Sequence, residues 1–234
     1  MSTRDGFTAA EPLPTRPDRG AERREMVESQ LRARDIHDPR VLRAMSEVPR
    51  EAFVPASEAA HAYADRPLPL GFGQTISQPY TVAFMSQALQ LRGTERVLEI
   101  GTGSGYGAAV LGRLAAEVHT VECVPQLARS ARSCLERLGC RNVLVHEGDG
   151  TWGWPEFAPY DAIVVTAGGR ELPEPYRPQL AEGGRIVIPL GADRRGQSMC
   201  RFTLRRGLLD REDLGGFAFV PLVGTWGWPD ETLG

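Results

Sequence analysis

Residues 97–107, reading VLEIGTGSGYG, limit the possible folds more than any other stretch. A short apolar run passes directly into four glycines within seven residues. Such a run is a buried strand, and the glycines free the backbone for a tight turn and close approach to a ligand. Helical periodicity follows from Ser104 to Ala115, so strand, glycine turn and helix form the first half of a βαβ unit. The alternation then continues. Strands are expected at 96–100, 118–122, 143–146, 161–166 and 184–190, and helices at 125–138 and 175–180. This rhythm predicts a parallel sheet with helices on both faces.

The flanks have a different character. Helices are expected at 19–34 and from Asp38, an N-cap followed by Pro39, to the residue before Pro49. Residues 49–73 read as loops with a short helix near 57–63. A further helix should run from Pro79 to Leu91, capped by Ser77 or Gln78. Near the C-terminus, 197–206 and 216–223 lack an intervening helix and are expected to pair antiparallel. The fold class is therefore α/β: a Rossmann-like domain with an N-terminal helical cap and antiparallel C-terminal strands. Residues 1–20, proline-rich and aperiodic, are expected to be a flexible tail. The single domain then spans 21–234, with the cap at 21–92 and the sheet at 93–234. The pentapeptide TWGWP occurs at 151–155 and again at 225–229. Nothing around the two copies matches, so they are two similar loops and no duplication.

Composition removes several classes of function. All 27 basic residues are Arg, which excludes Schiff-base and phosphate-loop lysines. A net charge of −3 argues against a nucleic-acid partner. The four cysteines form no C-x-x-C, and with only four His no metal site is expected. No apolar run approaches the length of a membrane span, and the first 20 residues lack the apolar core of a signal peptide. A cytoplasmic monomer without membrane contact is the expectation.

The glycine loop alone leaves its ligand open. Gly103, Gly105 and Ala108 satisfy the G-x-G-x-x-G/A dinucleotide fingerprint, so a nicotinamide enzyme competes with a methyl-donor enzyme. Charge favours the second. Glu99, two residues ahead of Gly101, would repel a pyrophosphate but suits the ammonium and sulfonium of S-adenosylmethionine. Glu122 ends the next strand, where a carboxylate accepts ribose hydroxyls in either class. Asp149, flanked by Gly148 and Gly150, follows the third strand, at the expected adenine edge.

With these motifs in place, the chain resembles the protein-L-isoaspartate (D-aspartate) O-methyltransferase family from about Arg23 to Trp228. The resemblance rests on residues 26–31 (MVESQL), 48–50 (VPR), 53–55 (FVP), 73–79 (GQTISQP) and 99–105. It extends to 148–150 (GDG), 179–180, 183–185 and 219–222 (FVPL). The glycine loop is common to many methyltransferases, whereas TISQP is far more specific. The family's reaction is methyl transfer from S-adenosylmethionine, leaving S-adenosylhomocysteine, to the α-carboxylate of L-isoaspartyl residues in damaged proteins and peptides. The alternative is a relative that methylates an aspartyl carboxylate of one dedicated peptide.

The resemblance also implies site roles. Ser77 falls on the catalytic serine. Gln74, Thr75, Ile76 and Ser77 line the cofactor with Glu99, Gly101, Gly103, Gly105, Glu122, Asp149 and Gly150. Ser77, Val82, Val220, Pro221 and Leu222 hold the substrate. Four positions depart from the family pattern: Gly107 stands for the usual Gln, Cys123 for a polar residue, and Val223 for an occasional Thr. The fourth is residues 166–170 (TAGGR), where alanines and a proline are usual.

Overall fold

The computed structural model describes residues 19–193 and 196–229. The tail expected at 1–20 lies outside them except for Arg19 and Gly20, and Gly20 already opens helix α1 (Gly20–Met26). That helix continues as a π-helical turn, Val27–Arg32. Helix α2 (Pro39–Glu47) starts as expected, with Asp38 accepting the Arg40 N–H at 2.8 Å. Two short 3-10 helices lie in the next segment: Ala56–His61, where a short helix was expected near 57–63, and Arg50–Phe53, in a stretch read as loop. That segment also feeds an unforeseen hairpin: strand β1 (Leu68–Gly71) pairs antiparallel with β2 (Gln74–Ile76). Strands of four and three residues are too short to show a period.

Helix α3 spans Pro79–Ala88 and ends before the expected Leu91. The main sheet then begins with β3 (Arg96–Ile100), followed by helix α4 (Tyr106–Leu111). Helix α4 is half the expected length, because Gly112 ends it and Asn142 Nδ2 donates to the freed carbonyls of Gly112 and Ala115. Strand β4 (Glu117–Glu122), helix α5 (Pro125–Arg137), β5 (Val143–Glu147) and β6 (Tyr160–Val165) follow the predicted order. Strand β7 (Leu180–Leu190) follows a 3-10 helix at Glu174–Gln179. The last two strands are β8 (Gln197–Arg205) and β9 (Leu208–Phe217).

The seven strands lie in the order β5-β4-β3-β6-β7-β8-β9, parallel through β7 and antiparallel thereafter. The expected antiparallel finish is present, but the partner of β8 is 208–217, not 216–223. Arg206 and Gly207, both at positive φ (52° and 75°), make a two-residue hairpin turn. Strand β9 is a mostly exposed edge with Asp, Arg and Glu at its centre, so hydrophobic periodicity overlooks it. Residues 220–222 instead run beside Gly168, whose N–H donates to Val220 O at 2.8 Å.

Both faces of the parallel strands are apolar. Val97, Val118, Ala162 and Val164 pack on side chains of α1 to α5. Leu98, Ile100, Val121, Ile163 and Ile186 form the other face. There, Trp154, Phe157 and Tyr176 cover the sheet from 3-10 segments and loops, and the short helix expected at 175–180 is the 3-10 helix Glu174–Gln179. Prolines at 155, 159, 173, 175 and 178 prevent longer helices. Among the described residues, no helix is long and apolar enough to cross a membrane.

Candidate active site

Strand order reverses between β3 and β6, so the loops after their carboxyl ends diverge and leave a crevice. The crevice opens to solvent, with about 880 Å³ of space in and over it. Its floor is the glycine loop. Gly101 has φ 95°, and its carbonyl and that of Ile100 accept the Thr166 hydroxyl at 2.8 and 3.1 Å. A Cβ at Gly101 would overlap that hydroxyl, so the β3 and β6 loops can join only through glycine.

Two carboxylates face the floor. Glu122 Oε2 accepts the Gly103 N–H at 2.7 Å, and its Oε1 accepts the Val124 N–H at 3.0 Å. Glu99 is 1% exposed. Its Oε2 accepts the Thr120 hydroxyl at 2.6 Å, and the Thr120 oxygen lies 2.7 Å from the Thr102 hydroxyl. Burial pushes the Glu99 carboxyl up to about 8; the Thr120 bond opposes the rise and the charge of Glu122 adds to it. The departure at Gly107 belongs to the same cluster, because a Cβ there would overlap Glu99 Oε1. These acids decide between the ligands left open by the fingerprint. The Gly103 N–H that would meet a pyrophosphate is already held by Glu122, whose carboxylate would repel that anion. A cationic ligand fits the donor set.

The hairpin β1–β2 crosses the loop, Leu70 reaching the position a Cβ of Gly103 would approach. It delivers Gln74, Thr75, Ile76 and Ser77 to the crevice wall, and Val82 follows from the first turn of α3. Ser77 does not cap α3. The N-cap is Gln78, without a side-chain bond, and the Ser77 hydroxyl has no hydrogen bond to a described residue. The Ser77 backbone is fixed from behind, where Arg50 Nη2 donates to its carbonyl at 2.8 Å. Val220, Pro221 and Leu222 form the opposite wall. The Leu222 N–H donates to Gly168 O at 2.9 Å, so the TAGGR loop is the brace for that wall.

The structure thus brings together most of the residues singled out in the sequence, and two stand elsewhere. Gly105 (φ 88°) is the N-cap of α4, backed by Ala131 and Leu135 behind the loop. Asp149 turns from the crevice and accepts from Thr151 and Thr225, leaving Gly150 to line it. The sequence reading passed over Thr102, Ser104 and Tyr106, and named Cys123, Thr166 and Ala167 only as departures from the family pattern; all six line the crevice too. Each stands within or directly beyond a strand-end loop, and that position was the available signal. Among the described residues, no three His, Cys, Asp or Glu side chains converge as metal ligands.

Comparison with known proteins agrees with this geometry. The family pattern of protein-L-isoaspartate(D-aspartate) O-methyltransferases matches residues 21–227. A protein-L-isoaspartate O-methyltransferase 2 of Pelobacter propionicus is 57% identical over 205 residues, covering 87% of this chain and 91% of the relative. A protein-L-isoaspartate O-methyltransferase of Methanoculleus marisnigri is 54% identical over 210 residues, covering 90% and 95%. A solved protein-L-isoaspartate O-methyltransferase superposes with a TM-score of 0.79 at 35% identity, covering 87% of this chain and 67% of its own. A Plasmodium falciparum chain described as an enzyme of this kind, in complex with S-adenosyl-L-homocysteine, gives 0.73 at 25% identity, covering 85% and 96%.

Proposed function

The chain belongs to the protein-L-isoaspartate(D-aspartate) O-methyltransferase family, and we propose that its crevice carries that family's reaction. The α-carboxylate of an L-isoaspartyl residue in a damaged protein or peptide is methylated, and the ester then closes to a succinimide from which repair begins. The observation that carries this reading is the unengaged Ser77 hydroxyl, which shares one crevice with the buried acids Glu99 and Glu122.

S-adenosylmethionine, when bound, supplies a sulfonium methyl group and leaves as the neutral thioether S-adenosylhomocysteine. Glu122 and Glu99 hold the cationic end and the ribose over the glycine floor. Ser77 donates its hydroxyl to one oxygen of the acceptor carboxylate and directs the other oxygen towards the methyl carbon. No general base is needed, because a carboxylate with a pKa of about 4 is already ionised at neutral pH. What the chain contributes is alignment and exclusion of water, and alignment alone supplies roughly 7–11 kcal/mol. Val82 and Leu222 close the apolar sides of the acceptor space. The backbone of Val220 to Leu222 grips the peptide, and Gly168 holds that backbone in register.

Methyl transfer from labelled S-adenosylmethionine to two peptides of one sequence, one with L-isoaspartate and one with L-aspartate, tests this reading. Base-labile label on the isoaspartyl peptide alone is expected. Label on the aspartyl peptide, or on neither, overturns it.

A further inference from the structure

Arg50 is among the largest fully buried side chains of the described chain, with 0% exposure. Its Nε donates to Ala62 O at 2.7 Å and its Nη2 to Ser77 O at 2.8 Å. The guanidinium carbon stands 4.8 Å from the centre of the Tyr106 ring. Nη1 has no hydrogen-bond partner among the described residues. The carboxylate next in sequence does not neutralise it, for Glu51 accepts from the Tyr63 hydroxyl and pairs with Arg23 at 3.4 Å. A buried guanidinium normally sits opposite a carboxylate or phosphate. Here two of the three groups that receive it, the Ser77 carbonyl and the Tyr106 ring, belong to residues of the crevice wall, and the third is the Ala62 carbonyl.

Two carbonyls and an aromatic face orient this cation without cancelling it. Its field therefore extends through low-dielectric wall into the Ser77 end of the crevice, where charges interact more strongly than in water. The acids Glu99 and Glu122 stand with the glycine loop. The crevice is thus polarised along its length, negative where a cationic donor would lie and positive behind Ser77.

We propose that Arg50 is a positioning residue for the anionic acceptor, its buried charge selecting a carboxylate at the Ser77 end while its fork holds the Ser77 backbone. The proposal rests on the methyl-transfer reading above and adds the source of its preference for an ionised acceptor. Burial lowers the guanidinium pKa, but an arginine of such high ordinary pKa keeps its proton.

The experiment compares the full-length chain with Arg50→Gln and Arg50→Lys. It uses an isoaspartyl peptide, the same peptide carrying the neutral α-carboxamide, S-adenosylmethionine and S-adenosylhomocysteine. In Arg50→Gln, affinity for the isoaspartyl peptide should fall about tenfold while binding of the carboxamide stays unchanged. The affinity ratio of S-adenosylmethionine to S-adenosylhomocysteine should rise roughly threefold, because the sulfonium no longer faces a like charge. A purely structural clip would weaken all four ligands together, and that result overturns the proposal. Should Arg50→Gln not fold, Arg50→Lys decides: retained preference for carboxylate over carboxamide supports the charge, and its loss refutes it. If the unaltered chain methylates the isoaspartyl peptide and Arg50→Gln matches it, only this proposal falls. If the unaltered chain methylates no isoaspartyl peptide, the underlying reading falls with it.

Discussion

Asp149 Oδ2 accepts the backbone N–H of Thr225 at 2.8 Å, tying together residues 76 positions apart. Its other oxygen takes the Thr151 N–H and hydroxyl at 2.9 and 2.6 Å, and Thr151 Oγ1 accepts the Trp226 N–H at 3.1 Å. The two Trp-Gly-Trp loops therefore clasp each other, with Trp152 and Trp226 perpendicular and their ring centres 5.7 Å apart. Gly150 and Val223 line the crevice beside this clasp, so it sets the position of the Val220–Leu222 wall.

Asp149→Ala removes three acceptor bonds and should cost about 1–3 kcal/mol of stability. It should also raise KM for an isoaspartyl peptide more than it lowers kcat, because the substrate wall loosens while Ser77 is untouched. Denaturant unfolding and steady-state kinetics check both. Burial alone would raise the Asp149 carboxyl, but the bonds from Thr151 and Thr225 outweigh it and hold the carboxyl below its usual range. The sign follows from linkage: the contribution is complete above the unfolded pKa of about 3.9 and is lost only as pH falls through the lower folded value. The clasp should therefore persist at pH 5.

Ser77→Ala should fold with unchanged stability, since the Ser77 hydroxyl neither caps α3 nor bonds a described residue, and the carbonyl that Arg50 holds is kept. Transfer to an isoaspartyl peptide should drop roughly 10²-fold, the scale for losing one donor to a reacting oxygen. Calorimetric titration with S-adenosylhomocysteine should give the native affinity. A variant with native turnover would remove Ser77 from the chemistry.

Glu99, raised to about 8 by burial, is mostly protonated at pH 7 in the free protein. A cationic ligand placed over it favours the ionised form, so binding S-adenosylmethionine at pH 7 should release a proton. Calorimetry in two buffers of different ionisation enthalpy reads that release directly. It should vanish in Glu99→Gln and shrink above pH 8. Because the folded pKa is raised, the free protein should lose stability as pH rises from about 4.3 towards 8. Glu99→Gln should flatten that slope.

The sequence made the β3–α4 glycine turn and Glu122 legible because both are local: an apolar run, a backbone requirement and a strand-end carboxylate. The partners of Asp149 were hidden for the opposite reason. Its partner Thr225 comes from the other end of the chain, and no local pattern announces a bond of that span. Strand β9 escaped because an exposed edge need not alternate. Arg50 was visible only as part of VPR; its burial behind Ser77 follows from the packing of 3-10 turns that carry no periodic signal. The effect of the TAGGR departure in the fold is mechanical. A Cβ at Gly168 would strike the buried Gln197 side chain, whose Oε1 accepts the Phe219 N–H at 2.9 Å.

A last prediction concerns two histidines remote from the reaction. His119 Nε2 lies 2.7 Å from Glu117 Oε1, and His119 Nδ1 lies 2.9 Å from His146 Nε2. With both rings neutral, His119 donates to Glu117, so its Nδ1 must accept and His146 must donate. His146 is stacked on Trp154 with ring centres 4.5 Å apart, and Phe157 packs within 5.6 Å. Burial, then the neighbouring His119 and Arg132, lowers His146 to about 4. A lowered histidine binds fewer protons folded than unfolded between its two pKa values. Its contribution to stability is therefore complete above about 6.5 and declines as pH falls towards 4. Denaturant midpoints at pH 7, 5.5 and 4.5 should fall more steeply for the native chain than for His146→Gln, which cannot take up that proton. Parallel curves would show that some other group drives the acid transition.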